Sequence, residues 1–319
     1  MNGFDLSTIS GLYVGSTPYS AIYKGSVKIW EANPGYSREY LTIESLEDNN
    51  VIYFYANDSS LLRTIEVSTN KTNWVSYTSS TSGTYIRLLN TGQKLYVRGS
   101  NYYYGGSTVY NYFTSTKQFN VYGNIMSLIY GDNFINQTFL ASGYTFHSLF
   151  KNCTTLVDIS NLILPATTLQ SYCYMNMFYG CSSLTIAPSI LPATILATDC
   201  YRSMFDRCSS LTTAPELPAT TLAQNCYRSM FYNCTSLTTA PELPATGLVS
   251  SCYQYMFYGC TLIHYIKALF TTDISSTTAY TNNWLYKVAA RGIFVKSKDA
   301  TWSKTGASGI PSGWTITTI

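Results

Sequence analysis

The chain is poor in charge and almost without histidine. Only 11% of its 319 residues are Asp, Glu, Lys or Arg, the formal net charge is +3, and the two histidines are His147 and His264. No Lys/Arg run is dense enough to follow a row of phosphates, so nucleic acid is not an expected partner. Two histidines leave little for acid–base work, and no Gly-x-Ser-x-Gly elbow or metal-ligand cluster is present, so neither a cofactor nor an enzyme is expected. No stretch approaches the ~20 apolar residues of a membrane span, so membrane insertion is not expected either. The first residues, Met1 to Ser10, have no basic start and no apolar run, and the first cysteine is Cys153. The expectation is synthesis in the cytoplasm without a secretory or lipid-anchor signal.

Tyrosine and repetition fill the space that charge leaves. There are 30 tyrosines. Each offers a rigid flat ring and a hydroxyl at low entropic cost, useful for holding sugars or proteins. A stretch of about 26 residues recurs from Cys173, Cys200, Cys226 and Cys252, with a degenerate copy near Thr145. A unit this short cannot bury its own apolar face and must stack on its neighbours, which predicts a solenoid.

Eight of the nine cysteines form equally spaced pairs: Cys173/Cys181, Cys200/Cys208, Cys226/Cys234 and Cys252/Cys260. Disulfides fit poorly with an odd count and a cytoplasmic origin. A metal site would need clustered Cys or His. Reduced, buried thiols acting as small hydrophobes are the preferred reading. If Thr221 to Cys234 is helical, about 100° per residue puts Leu222, Cys226, Tyr227, Met230, Phe231 and Cys234 on one inward arc. Arg228 and Tyr232 then face solvent.

The expected fold is multidomain: a β-sandwich-like antiparallel domain, then a short leucine-rich-repeat (α/β) solenoid with a β-rich C-terminal cap. Residues 1–36 read as an attachment unit, with short strands around Pro18, a turn at Lys24-Gly25 and a boundary at Asn33-Pro34-Gly35. Residues 37–118 carry six β-rich runs, beginning at Tyr40, Val51, Leu62, Trp74, Tyr85 and Lys94, separated by turn residues. Residues 119–270 hold the solenoid, opened by a capping segment to about Gly143. Pro188, Pro215 and Pro241 should limit strand pairing there. Residues 271–319 close the far end, with strands expected at Trp284-Leu-Tyr, Gly292-Ile-Phe-Val-Lys and Gly309 to Ile316.

The repeat core, Met-Phe-x-x-Cys-[Ser/Thr]-Ser-Leu-Thr-x-Ala-Pro-x-Leu-Pro-Ala-Thr, resembles leucine-rich repeats of the BspA-like type, common in Bacteroidetes surface proteins and in proteins of their phages. Phe178 to Leu184, Phe205 to Leu211 and Phe231 to Leu237 carry the likeness, and Ile263 replaces the leucine in the last copy. Leu12 to Glu31 and Gly309 to Thr315 look like segments of phage fibre proteins. The resemblance implies a non-enzymatic virion protein: a fibre, decoration or receptor-binding subunit, contacting other virion proteins and a host-surface glycan or protein. It also implies a homo-oligomer, by resemblance a trimer. A bacterial cell-surface adhesin is the alternative, and a tailspike depolymerase the third.

Candidate ligand-binding residues are those where the copies disagree on the solvent side. Tyr179, Asp206, Tyr232 and Tyr258 form one expected exposed column, and Arg202 and Arg228 another. Tyr102, Tyr103 and Tyr104, in a Gly-flanked loop, form a second candidate. Asp199 and Asp206 share one predicted helix, but Asn225 and Tyr232 replace them in the next copy, as on a solvated surface rather than a catalytic carboxylate pair. Leu243-Pro-Ala-Thr-Gly247 spells a sortase motif, yet Leu-Pro-Ala-Thr also recurs at Leu164, Leu191 and Leu217 as repeat punctuation. The Asn-x-Ser/Thr sequons at Asn57, Asn70, Asn136, Asn152 and Asn233 are expected by chance in so Asn- and Thr-rich a chain.

Overall fold

A computed structural model describes residues 38–319 throughout. Before them it describes the backbone of four short strands, β1 (Tyr13–Val14), β2 (Thr17–Pro18), β3 (Ala21–Lys24) and β4 (Val27–Glu31), paired β1–β2 and β3–β4. The rest of the expected attachment unit, with its turn at Gly25 and its boundary at Asn33-Pro34-Gly35, lies outside the described residues.

The protein is mostly β, in several sheets. All six β-rich runs are strands: β5 (Leu41–Ser45), β6 (Asn50–Ala56), β7 (Thr64–Ser68), β8 (Val75–Thr78), β9 (Thr84–Leu88) and β10 (Lys94–Gly99). Two more follow, β11 (Asn111–Ser115) and β12 (Phe119–Asn124). One antiparallel sheet runs β12-β5-β10-β7-β8, and the other runs β11-β6-β9. Alternation decides which side chains go inside. In β6 the even residues Ile52 and Phe54 are buried, while Tyr53 and Tyr55 face out.

Strand β12 joins this region to the repeats. It pairs antiparallel with β5, and parallel with β13 (Leu156–Asp158) and β14 (Leu162–Ile163) of the first coil. The segment expected as a cap therefore also supplies a strand of the first sheet. One continuous hydrophobic core runs from Leu41 to Trp314.

The predicted helices in the repeats do not form. Each inward segment is instead a ribbon of overlapping four-residue turns. In the copy at Cys226, the N–H groups of Cys226, Arg228, Met230, Tyr232 and Cys234 each bond to the carbonyl three residues back. The intervening N–H groups, of Tyr227, Ser229, Phe231 and Asn233, donate to Cys252, Gln254, Met256 and Tyr258 of the next coil at 2.7–3.1 Å. The backbone is thus satisfied half within a row and half between rows.

Left-handed residues at every fourth position set this geometry. They are Asn225, Ser229 and Asn233 in that row, with φ of 54–55°, and Asp199, Ser203 and Arg207 in the row before. Gly180 and Gly259 occupy the third of these positions in their own rows. A right-handed helix cannot pass through such residues. The burial pattern survives the change of conformation because periods of 3.6 and 4 place the same residues inside. Met177, Phe178, Cys181 and their equivalents are all buried, while most of the residues between the inward pairs are half-buried or exposed; His147, Ser148, Ser203 and Asp206 are the buried exceptions with side chains.

Six such rows stack. The first, Thr145 to Cys153, is the degenerate copy. The sixth, Tyr280 to Val288, went unrecognised in the sequence because Tyr280, Thr281, Trp284, Leu285 and Val288 replace the usual Cys, Tyr, Met, Phe and Cys. Its place is fixed by bonds from Tyr253, Phe257 and Gly259 to the carbonyls of Tyr280, Trp284 and Tyr286. Trp284-Leu-Tyr is therefore turn ribbon and not strand. Inside the stack, Phe150, Phe178, Phe205, Phe231 and Phe257 form a ladder with centroids 5.5–5.7 Å apart. A second ladder runs Phe146, Tyr174, Tyr201, Tyr227 and Tyr253 at 5.6–6.1 Å.

All nine cysteines are free and buried. Those of the second column donate S–H to a phenylalanine carbonyl in the preceding coil: Cys181 to Phe150, Cys208 to Phe178, Cys234 to Phe205 and Cys260 to Phe231, at 2.9–3.1 Å. Burial pushes the thiols up, Cys173 to about 12 and Cys252 to about 11, so they stay protonated and able to donate.

On the opposite side of the coils the prolines reduce strand pairing to single bridges, such as Ile186 with Thr213 and Thr213 with Thr239. The far end closes with a parallel sheet, β15 (Tyr265–Ala268), β16 (Ile293–Lys296) and β17 (Thr315–Thr318). Trp302 stacks on Phe270 at 4.8 Å and donates its indole N–H to the Phe270 carbonyl.

Candidate functional site

The turn ribbon displays two outward residues between each inward pair, so every row contributes to the same outward columns. One column reads Lys151, Tyr179, Asp206, Tyr232, Tyr258 and Tyr286. The next reads His147, Met175, Arg202, Arg228, Gln254 and Asn282. Both follow from the row-to-row hydrogen bonds.

The column holds a mixed file of aromatic and cationic groups. Tyr232 and Tyr258 stack at 4.6 Å, and Tyr258 and Tyr286 lie 5.0 Å apart. Tyr255 meets both Tyr232 and Tyr258 edge-on. Tyr179 sits between Lys151 at 5.7 Å and Arg207 at 5.4 Å from its ring centre. Stacked tyrosines cover one another's faces, so the column offers solvent ring edges and hydroxyls rather than open platforms. Burial raises the Tyr232 phenol further, with Tyr258 and Asp206 adding to the effect.

Asp206 departs from expectation. It was read as exposed, but the residue is only 8% exposed and one carboxylate oxygen has no hydrogen-bond partner. Arg207 Nε stands 3.7 Å from that oxygen. Burial pushes the carboxyl up to about 7, against the opposing pull of Arg207 and a bond from Ser203. Asp199 is also buried, but both its oxygens are engaged, by Arg202 at 3.2 Å and Asn225 at 3.2 Å. Arg228 lies beside Arg202, and burial together with that neighbour lowers its pKa. His147, at the head of this column, is buried and pushed down to about 4 by desolvation and then by Lys151.

The loop tyrosines divide. Tyr102 is 72% exposed, and Tyr103 carries Arg63 over its ring at 4.4 Å. Tyr104, expected as a ligand-binding residue of this loop, is instead fully buried and has no surface to offer a ligand. Its hydroxyl donates to the Leu128 carbonyl at 2.9 Å, and its ring stacks on Phe146 at the head of the tyrosine ladder.

The structure also adds residues that the sequence reading passed over. On the outer face of the β11-β6-β9 sheet, Tyr55 stacks between Tyr53 at 5.4 Å and Tyr112 at 5.3 Å, and Tyr85 lies 6.1 Å from Tyr53. Tyr110 continues the file to Lys151, whose ammonium is 4.8 Å from its ring centre. The signal was present as Tyr53-x-Tyr55 and Tyr110-x-Tyr112, where alternation in a strand puts both rings on one face. Lys151 thus connects the sheet tyrosines to the coil column. Among the described residues no helix is long and apolar enough to cross a membrane, and no group of three or more His, Cys, Asp or Glu is placed to hold a metal.

Comparison with known protein families, with curated proteins and with solved structures finds no match to this chain.

Proposed function

We propose that the chain is a non-enzymatic recognition protein of a virus particle, a fibre, decoration or receptor-binding subunit, built on coils of the BspA-like leucine-rich-repeat type. In this reading residues 1–36 attach it to other virion proteins, and the sandwich and coils present a surface to a glycan or protein on the host cell. The observation that carries the reading is the division of labour within each row. Inward positions repeat Cys, Tyr, Met, Phe and Cys with little change, while the outward column varies through Lys151, Tyr179, Asp206, Tyr232 and Tyr258. A scaffold held constant beneath a varied tyrosine-rich face is how recognition surfaces are built on stacked repeats.

The test is adhesion. Fluorescently labelled chain is titrated onto a panel of Bacteroidetes cells, beside a Tyr232→Ala/Tyr258→Ala variant. Both rings are on the surface, so the variant keeps its fold. Binding of the parent to some strains, weakened at least tenfold in the variant, supports the reading. Equal binding of both refutes this site, and no binding to any strain refutes the function.

A further inference from the structure

Charge is distributed unevenly around the coils. The six turn ribbons carry Lys151, Arg202, Arg207, Arg228 and Lys287 against only Asp199 and Asp206. The return segments of the same coils, from the first through Asp299 of the sixth, carry Asp158, Glu216, Glu242, Asp273 and Asp299 against Lys267, Arg291, Lys296 and Lys298. In a chain with so little charge, this excess of cations marks the ribbon face as the partner of an anion.

The two carboxylates on the basic face each engage one of its five cations. Asp199 pairs with Arg202 at 3.2 Å, and Asp206 lies 3.7 Å from Arg207. Arg228, Lys151 and Lys287 form no salt bridge among the described residues; Lys151 and Lys287 lie over tyrosine rings instead. Guanidinium and ammonium groups set among phenol hydroxyls are the donor set that recognises a carboxylate or sulfate on a sugar.

The spacing also fits a chain ligand. Rows joined by backbone hydrogen bonds repeat every ~4.8 Å, the strand-to-strand distance. This is close to the length of one pyranose unit. Six rows therefore span about 24 Å, enough for several consecutive sugars lying along the tyrosine column.

We propose that the turn-ribbon face binds an anionic polysaccharide along the stacking direction, with Arg202, Arg228, Arg207 and Lys151 pairing its acidic groups and the edges of Tyr179, Tyr232 and Tyr258 contacting its hydroxyls. The proposal rests on the recognition reading above and names its ligand class.

Binding is measured by calorimetry with four probes: polygalacturonate, its fully methyl-esterified form, dextran sulfate and dextran. The expected result is binding of polygalacturonate or dextran sulfate at least tenfold tighter than of its neutral counterpart, weakening steeply with salt. Arg202→Gln/Arg228→Gln should reduce that binding at least fivefold, while Lys267→Gln/Lys298→Gln, away from the ribbons, should leave it unchanged. Thermal melts confirm that both variants fold. Equal affinity for charged and neutral chains overturns the anionic assignment. So does equal loss in the two double variants, which would mean attraction by net charge alone. If cells are bound but no acidic chain is, the ligand class is wrong and the recognition function stands. If neither cells nor chains are bound, both fall.

Discussion

Ser229 distinguishes a turn ribbon from a helix by the sign of one substitution. It sits at φ 54° in the middle of its row, with its N–H donating to Gln254 at 2.8 Å. Holding a non-glycine residue in the left-handed region costs roughly 1–2 kcal/mol. Glycine avoids that cost but loses more backbone entropy on folding, roughly 0.5–1 kcal/mol. Ser229→Gly should therefore stabilise the protein by about 0.5–1 kcal/mol. Ser251→Gly, at φ 55° in the next row, should do the same. Were these segments helical, each serine-to-glycine change would instead destabilise by roughly 0.5 kcal/mol. Ser229→Val is the control, because a β-branched side chain at positive φ should cost more than serine does. Urea unfolding followed by tyrosine fluorescence measures all three, with m-values checked for constancy. A fall in midpoint for Ser229→Gly would falsify the turn-ribbon account.

Three further outcomes follow from the packing. Phe205→Ala removes one rung from the phenylalanine ladder, fully buried between Phe178 and Phe231, and should destabilise by about 3–5 kcal/mol in the same unfolding assay. A loss under 1 kcal/mol would mean that the coils are not close-packed. All nine thiols should resist iodoacetamide in the native protein and all nine should react once it is unfolded without reductant, as counted by intact mass; unreactive pairs in the unfolded chain would reveal disulfides. The Asp206 carboxyl is raised from 3.8 to about 7, so the folded state holds that proton more tightly than the unfolded state. Its effect on stability is nil below about pH 4 and grows unfavourable as pH rises towards 7, reaching at most about 4 kcal/mol. Asp206→Asn should match the parent at pH 4 and exceed it at pH 8; equal stability at both values would show an ordinary, solvated carboxylate.

Strands β5 to β10 are legible because period-2 alternation between turn residues has few competing interpretations. The inward residues of the coils were legible for a different reason. A 3.6-residue and a 4-residue period stay close over two turns, so Cys226, Met230 and Cys234 fall inside on either reading. That same agreement hid the true conformation. The signal against a helix was local: Asn225, Ser229 and Asn233 recur at intervals of four, and asparagine tolerates the left-handed region. The sixth row was invisible because all five of its inward residues differ from the consensus. Asp206 is buried not by its place in the row, which Tyr179 and Tyr232 share in the neighbouring rows without being buried, but as a short side chain in a file of longer ones. The tyrosines of β6 and β11 are joined to the coil column through Lys151, a contact between segments about 40 and 100 residues apart that no local pattern announces.

The hydrogen bonds between rows have a mechanical consequence. They point along the stacking direction, so a load applied between the β5–β12 sheets and the β15-β16-β17 end meets the rows one after another, in series. Under tension such an array opens like a zipper, one row after another. Each 26-residue coil released adds up to about 90 Å of slack. The near-identical rows at Cys200 and Cys226 should yield at nearly the same force. A tether of this kind lengthens in even steps under shear, while the rows still folded keep their side chains in register.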